Sequence, residues 1–358
     1  MKGVLLHGGH GTRLRPLTHT GPKQLIPVGG KPISQYCFED MNAAGVTEVA
    51  VILGNIWPEK VVEYYGDGSK LGMRFTYIDQ GEPRGLAQAV SLAESFVGKD
   101  KFVMYLGDNL LKGGIAAQAK TFENGDADAM VLLSKVEDPE RFGVAQFAQD
   151  GKLEKLVEKP KQAPSPYALV GVYFFTSHIF DAIRELKPSW RGEYEITDAI
   201  QSLLTSGQKV AHSFVEGWWK DTGTSDDILE ANRLVLDDKL DNSTSEGQVE
   251  EGAEVQGRVR LGKNSKIQKG AVVRGPTSIG TGTVIIKGAY IGPYTSIGSN
   301  CLVSGCEIEN SIVMDECRID AHTRIIDSLI GPGTQITKNE GTPGGHRLIL
   351  GEKCQLQL

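Results

Sequence analysis

Cysteine is scarce in this chain and has no pattern: Cys37, Cys301, Cys306, Cys317 and Cys354 are an odd number without a C-x-x-C pair. That excludes a disulfide framework and a zinc site as the organising principle, and leaves the five as ordinary core or surface residues. Long apolar runs are missing too. No stretch approaches the roughly 20 residues that span a bilayer, and "MKGVLLHGGHG" is too short and lacks the cleavage site of a secretory signal. The expectation is a cytoplasmic protein with no membrane partner. The third absence is an excess of positive charge. Lys and Arg number 38 against 45 Asp and Glu, a net charge of −7, which argues against nucleic acid as a partner because a phosphate backbone needs a broad basic face. A small phosphorylated ligand needs only a local basic site.

The composition, 40% hydrophobic and 23% charged over 358 residues, is that of a globular chain long enough for two domains. Two grammars confirm the division. Up to about Leu240, the β-rich runs "GVLLH", "EVAVILG", "RFTYID", "FVMYLGD" and "AMVLLSKV" alternate with amphipathic stretches such as "ISQYCFEDMNAAG" and "GLAQAVSLAESF". That alternation predicts right-handed βαβ units and a mainly parallel sheet, with ligands beyond the carboxyl ends of the strands. Gly8 and Asp108 both follow a predicted strand and so fall on that edge. The polar run "DDKLDNSTSEGQ" then reads as a linker, so a first domain is expected over 1–240, a linker over 241–248 and a second domain over 249–358.

The second domain has a different period. Val255, Leu261, Ile267, Val273, Ile279, Ile285, Ile291, Ile297 and Val303 recur every sixth residue. An aliphatic at each sixth position predicts a parallel β-helix in which three hexapeptides make one triangular coil. The spacing slips by one at Ile308, and Ile319 and Ile325 resume it, so about five coils are expected up to Ile336. "HRLILGEKCQLQL" leaves the repeat and is expected to cap or dock the open end.

The densest chemistry lies in "HGGHGTRLRPLTHTGPKQLIPVGGKP", residues 7–32. A Walker A loop requires Gly-x4-Gly-Lys-Ser/Thr, which does not occur here. A dinucleotide fingerprint requires a third glycine and an immediate helix, whereas Arg13 and Leu14 stand at the glycine's place and Pro16, Pro22 and Pro27 oppose a helix. What remains is an irregular loop, Gly8-Gly9-His10-Gly11, whose backbone amides can close on an anion. Arg13 and Lys23 supply charge, and a polyphosphate suits an arginine fork better than a single phosphate does.

L-x-G-G-x-G-T-R-L-x-P-L-T, then P-K-Q-L-x-P-V and K-P, resembles the signature of the sugar-1-phosphate nucleotidylyltransferases, specifically the glucose-1-phosphate thymidylyltransferases. "GLAQAV", "YLGDN", "FGVAQF", "VEKP", "YALVGVYFF", "RGEYEITDAI" and "WWKDTGT" are similar to the family's later motifs in order, and the tail to its long form. The resemblance implies a Rossmann-like α/β nucleotidyltransferase domain followed by a left-handed parallel β-helix. It implies an enzyme that joins dTTP and glucose 1-phosphate into dTDP-glucose and pyrophosphate with Mg²⁺, and a homo-oligomer. Positioning and charge neutralisation would do most of the work.

By the same resemblance, Arg13 would hold the departing phosphates, Lys23 the α-phosphate and Lys159 the sugar phosphate. The nucleotide site would comprise Leu6, Gly8, Gly9, Gly11, Thr12, Gln24, Gln80, Gly85 and Asp108, with Gln24 and Gln80 reading the base. A side-chain amide pairs equally with the N3–H and O4 of thymine and of uracil, so a UTP-using enzyme stays open. The sugar-phosphate site would take Asn109, Gly143, Glu158, Lys159, Gly171, Glu195 and Trp219. Gly143 and Gly171 alternatively serve only as close-approach backbone, and Pro160 is expected to hold Lys159 extended. Asp108 and Asp221 are the expected Mg²⁺ ligands, since hard carboxylate oxygens suit that ion. The plain alternatives are a turn cap for Asp108 and a pair with Lys220 for Asp221.

His7 departs from the alanine or serine usual in the family, and His10 occupies a variable position. Hexapeptide coils also occur in acyltransferases, which want a histidine base; His322 and His346 are the histidines of this half, and neither sits in a catalytic motif. A non-catalytic regulatory subunit would be expected to have lost some of Arg13, Lys23, Asp108, Lys159 and Asp221, and all five are present.

Overall fold

The computed structural model describes residues 1–240, 245–338, 348 and 350–357. It divides into two compact units: one holds Met1–Gly11, Thr20–Leu25 and Ile33–Asp221, the other Thr12–His19, Ile26–Pro32 and Thr222–Leu358. The expected boundary near Leu240 and this division differ. Helix Ser225–Asp238 clusters with the C-terminal strands, as do two short pieces of the glycine- and proline-rich segment.

The first unit is built on a nine-stranded sheet. Its strands are β1 (Lys2–His7), β2 (Glu48–Leu53), β3 (Arg74–Asp79), β4 (Phe102–Leu106), β5 (Ala129–Lys135), β6 (Gly143–Phe147), β7 (Leu153–Glu158), β8 (Tyr167–Phe175) and β9 (Val210–Phe214). The order is β7-β6-β8-β4-β1-β2-β3, with β5 paired to β8 and β9 paired to β5. β4, β1, β2 and β3 run parallel, and only β8 and β7 oppose the common direction. Five of these strands are the five β-rich runs of the sequence.

Alternation along those runs explains why both faces are covered. Val4, Leu6, Ala50, Ile52, Phe102 and Met104 face one core, which Ala87, Val90, Phe180, Ile196 and Ile200 complete from the helices. Leu5, Val49, Val51, Val103 and Tyr105 face the other, with Phe38, Met41, Tyr65 and Phe122. A strand buried on both faces reads as a continuous apolar run, which is how β1, β2, β4 and β5 were recognisable; β3, at the end of the sheet, exposes Arg74, Thr76 and Asp79 and mixes apolar with polar residues. The amphipathic stretch "GLAQAVSLAESF" forms two helices, Leu86–Ser91 and Glu94–Val97.

In the second unit, short strands form three parallel sheets of six, five and five strands, the pattern of a three-sided β-helix. Val255 pairs Val273, Leu261 pairs Ile279 and Ile267 pairs Ile285, one coil of three hexapeptides apart. After Val303 the coils shorten more than the sequence reading allowed. Ile291 pairs Ile308, Ile297 pairs Val313 and Val303 pairs Ile319, and further on Val313 pairs Ile330. Val313 and Ile330 therefore take corner positions that a single slip leaves out. Ile267, Val273, Ile285, Ile291, Val303, Ile308 and Ile319 are completely buried, and Cys301, Cys306 and Cys317 fill the same interior. The expected cap falls partly on residues outside those described; Leu350 and Leu356, within the described part, are exposed.

Candidate active site

The carboxyl ends of β1, β3 and β4 carry Gly8, Gln80 and Gly107-Asp108. Gly8 is pinched between neighbours: a methyl group added to it would lie 2.6 Å from Gln80 Oε1, and one added to Gly54 would lie 2.7 Å from the Gly8 Cα. Only glycines permit this approach. Gln24 is 1% exposed and donates from Nε2 to the Gly8 carbonyl at 2.6 Å, while its Oε1 is buried without a hydrogen bond among the described residues. Gln80 is held in turn by Gln88, whose Oε1 accepts from Gln80 Nε2 at 3.1 Å. Gly85 lies one turn before Gln88, at φ 114°, and a methyl there would meet the Tyr194 backbone oxygen at 2.5 Å. Two glutamines thus flank one glycine at the place expected for base reading. Leu6 is buried under this edge, its carbonyl accepting from Gly107 N at 2.9 Å.

Gly9 and Gly11 take positive φ, 100° and 56°, and a methyl on Gly9 would lie 3.9 Å from Lys23 Cε. Lys23 reaches past this loop and forms an ion pair with Asp108. Burial alone would push the Asp108 carboxyl up; the Lys23 ammonium beside it, with hydrogen bonds from Lys23 and Asn109, outweighs that and holds it below the usual carboxylate range. Arg13 and Thr12 are exposed on the turn Thr12–Leu14, which belongs to the other compact unit.

Asn109 organises the acidic part of the site. It is 1% exposed, and its Nδ2 donates to Asp108 Oδ1 at 2.9 Å and to Asp221 Oδ1 at 3.4 Å. Its Oδ1 accepts from Trp219 Nε1 at 2.6 Å and from Gly171 N at 3.2 Å. The antiparallel pair Asn109–Leu111 with Trp219–Asp221 sets Asp221 directly opposite Asn109. One amide therefore spaces two carboxylates. Asp108 and Asp221 thus share Asn109 as a hydrogen-bond donor. Among the described residues no group of three or more His, Cys, Asp or Glu side chains is arranged to hold a metal. Two hard carboxylates fit Mg²⁺, which keeps several waters and takes substrate phosphate oxygens for the remaining positions.

A third cluster surrounds Glu158, at the end of β7. Its Oε2 accepts from Thr197 Oγ1 at 2.6 Å, and Arg191 Nη1 lies 3.6 Å from its Oε1. Arg191 also reaches Glu195 at 3.3 Å, and Ser189 donates to the same oxygen at 2.9 Å. Burial pushes the Glu195 carboxyl up, and the Ser189 hydrogen bond offsets part of this. Gly143 lies under Glu158: a methyl there would be 3.1 Å from Oε2. Phe142 links this cluster to the previous one through an edge contact with the Trp219 ring, centroids 5.0 Å apart.

One expectation needs correction. Lys159 is not extended: its φ is 39°, in the left-handed region, and its N–H donates to the Phe142 carbonyl at 3.0 Å. The last bond of the β7–β6 ladder holds the chain in that turn against the preference that Pro160 imposes, and the side chain emerges exposed. At Gly171 the close approach offered as the alternative reading is present. A methyl on this glycine would lie 2.6 Å from Asn109 Cγ, so it is a seat for Asn109.

Sequence reasoning passed over Arg191, Thr197, Ser189, Gln88 and Gly54. The first three lie in or beside "RGEYEITDAI", from which Glu195 alone was taken; an arginine next to two glutamates, Glu193 and Glu195, was the available signal. It also left His7 unassigned. His7 is buried, its Nε2 lies 3.1 Å from Ser34 Oγ, and burial lowers its pKa to about 4. Ser34 Oγ in turn contacts Tyr65 Oη at 2.7 Å and donates to the Gln24 carbonyl at 3.1 Å. His10 is exposed. His322 is exposed with Nδ1 3.2 Å from the Gly305 carbonyl, and His346 lies outside the described residues.

Comparison with known proteins gives the family. The Nucleotidyl transferase family profile matches residues 2–238, and the GMPPB C-terminal domain profile matches residues 273–357. The chain is 52% identical to the low-salt glycan biosynthesis nucleotidyltransferase Agl11 of Haloferax volcanii, over 100% of both chains. It is 46% identical to a glucose-1-phosphate thymidylyltransferase of Streptomyces antibioticus, over 100% of this chain and 99% of the relative. Among solved structures, a Bacillus anthracis chain assigned as a glucose-1-phosphate thymidylyltransferase, in complex with a sucrose, is 41% identical with a TM-score of 0.62, over 65% of this chain and 94% of that one. With that family profile lying over the whole sheet and every carboxylate of the site, the chain belongs to the nucleotidyl transferase family.

Proposed function

We propose that this enzyme transfers a thymidylyl group from dTTP to glucose 1-phosphate, giving dTDP-glucose and pyrophosphate. The observation that carries the reading is the Lys23–Asp108–Asn109–Asp221 network at the carboxyl edge of the sheet, beside a glycine loop that Gln80 and Lys23 approach closely. The full-length Streptomyces antibioticus relative supports the choice of substrates.

In this reading a phosphate oxygen of glucose 1-phosphate attacks the α-phosphorus of dTTP, the bond to the β-phosphate breaks, and pyrophosphate leaves. Lys23 neutralises charge at the α-phosphate and Arg13 at the departing β and γ phosphates, where the transition state is most negative. Lys159, aimed by its left-handed backbone, takes the sugar phosphate. Glu158 and Glu195, fixed by Thr197, Ser189 and Arg191, accept hydrogen bonds from sugar hydroxyls. The unpaired Gln24 Oε1 is a ready acceptor for the pyrimidine N3–H, with Gln80 as its partner across Gly8. Asp108 and Asp221 would hold Mg²⁺, which supplies charge neutralisation on the phosphates and orientation of the leaving group. The reading also includes a left-handed coil, assembly as a homo-oligomer and a cytoplasmic setting.

A second reading, with UTP as donor, follows from the same two glutamines, because thymine and uracil present identical groups to them. Pyrophosphate release with glucose 1-phosphate and Mg²⁺, against dTTP, UTP, ATP, CTP and GTP in turn, separates the two. A signal confined to dTTP supports the first and a stronger signal with UTP the second. Silence with all five at full solubility contradicts both.

A further inference from the structure

We propose that Arg260 and Asn232 are positioning residues for the nucleotide end of the site, an inference that rests on the transferase function proposed above. Their target is the glycine turn that follows Lys23 and Gln24. Pro27–Val28 and Lys31–Pro32 form a two-stranded hairpin, and at its tip Gly29 and Gly30 both have positive φ, 56° and 82°. Such a turn is costly to order, because glycine loses more backbone freedom than any other residue. Here side chains hold it. Gly29 N–H donates to Asn232 Oδ1 at 2.8 Å, and the Gly29 carbonyl accepts from Arg260 Nη2 at 2.6 Å. Arg260 Nη2 is itself 2.7 Å from Ser278 Oγ. A methyl on Gly30 would lie 2.7 Å from Arg260 Nη2 and 2.9 Å from Ser278 Oγ, so the turn fits these two groups only as glycine.

Asn232 is completely buried and all its polar atoms are used. Its Oδ1 also accepts from Ser296 Oγ at 2.7 Å, and its Nδ2 donates to the Tyr294 carbonyl at 2.8 Å. Helix, coil and glycine turn therefore share one amide. The other short piece of this unit, which carries Arg13, also meets the coil: a methyl on Gly331 would lie 3.2 Å from Leu17 Cδ2. The two stretches that bracket Lys23 and Gln24 in sequence, Thr12–His19 and Ile26–Pro32, thus both cluster with the coil. The helix bearing Asn232 begins at Ser225, shortly after Asp221. Phosphate-gripping groups on glycine- and proline-rich loops need such fixed ends, since catalysis by positioning fails with displacements of about 1 Å.

The test is steady-state kinetics of full-length Arg260→Ala, Arg260→Lys and Arg258→Ala beside the unaltered enzyme. Arg258 is the control: its guanidinium donates to the Asp237 carbonyl at 2.8 Å, on the helix rather than on the glycine turn. Arg260→Ala is expected to raise the KM for the nucleotide about tenfold with the KM for glucose 1-phosphate unchanged. Arg260→Lys, which keeps the charge but not the planar fork, is expected to fall between, and Arg258→Ala to leave both constants as they are. Hydrogen exchange gives a reading independent of turnover: amides of residues 20–32 should exchange faster in Arg260→Ala while coil amides stay protected. An unchanged nucleotide KM in an active Arg260→Ala enzyme, or equal changes in both KM values, overturns the inference and leaves the transferase function standing. An unaltered enzyme that is silent with every nucleotide overturns both.

Discussion

Asn109 concentrates more of the site's geometry than any charged residue does, because its single amide binds two carboxylates, an indole and a backbone N–H. Asn109→Ala would strand the Trp219 and Gly171 donors in a buried place, at about 1–3 kcal/mol for each unsatisfied group. Turnover is expected to fall more than a hundredfold and the melting temperature by several degrees, measured by pyrophosphate release and differential scanning fluorimetry. Arg13→Ala should separate the two effects. Arg13 is exposed, so its loss is expected to lower turnover by orders of magnitude at an unchanged melting temperature.

His7 adds a pH dependence of stability. Its folded pKa of about 4 lies below the unfolded value near 6.5 because burial penalises the charged ring. Between those values the unfolded chain binds the extra proton, so stability rises with pH through that window and is lost as pH falls from about 6.5 to 4. The contribution is roughly 3 kcal/mol at most. Chemical denaturation at pH 7 and pH 5 should show the loss, and His7→Ser should flatten it.

At the level of elements, the sheet was readable because buried parallel strands are near-continuous apolar runs, and the coil because its corners recur every sixth residue. The shortening beyond Val303 was not, since turns of five and six residues satisfy the same aliphatic corners and only strand pairing tells them apart. The same limit applied to the site. The residues were legible one motif at a time, but the bridge from Asn109 to Asp221 depends on a strand register across more than a hundred residues. Arg191 was hidden for the opposite reason: it lies inside a recognised motif but acts through side-chain contacts that spacing does not encode. Lys159 was misread because a local proline preference lost to a ladder hydrogen bond.

Register also makes a glycine testable. Gly171→Ala introduces one methyl where Asn109 Cγ lies 2.6 Å away, which forces either β8 or Asn109 to move. Turnover is expected to drop at least tenfold although Gly171 offers no chemistry of its own; wild-type kcat in a folded variant would detach Asn109 from catalysis.

For the whole molecule, the coil is more than an appendage in sequence. Truncation after Leu240 removes Arg260, Ser278, Ser296 and the Tyr294 carbonyl, and so leaves the fully buried Asn232 amide with Gly29 as its one remaining partner. The truncated protein is expected to melt at a lower temperature and to show a raised nucleotide KM, checked by fluorimetry and initial rates. Normal constants would make the coil dispensable for chemistry.

The role proposed for the Lys23–Asp108–Asn109–Asp221 network is nucleotidyl transfer to a sugar phosphate. Its most direct test is to incubate the full-length enzyme with dTTP, glucose 1-phosphate and Mg²⁺, and to quantify dTDP-glucose and pyrophosphate by chromatography and mass, alongside Lys23→Ala and Asp221→Asn. Equimolar dTDP-glucose and pyrophosphate are expected from the unaltered enzyme, and a loss of both by orders of magnitude in folded variants. Pyrophosphate without the nucleotide sugar, or undiminished dTDP-glucose from either variant, would contradict it.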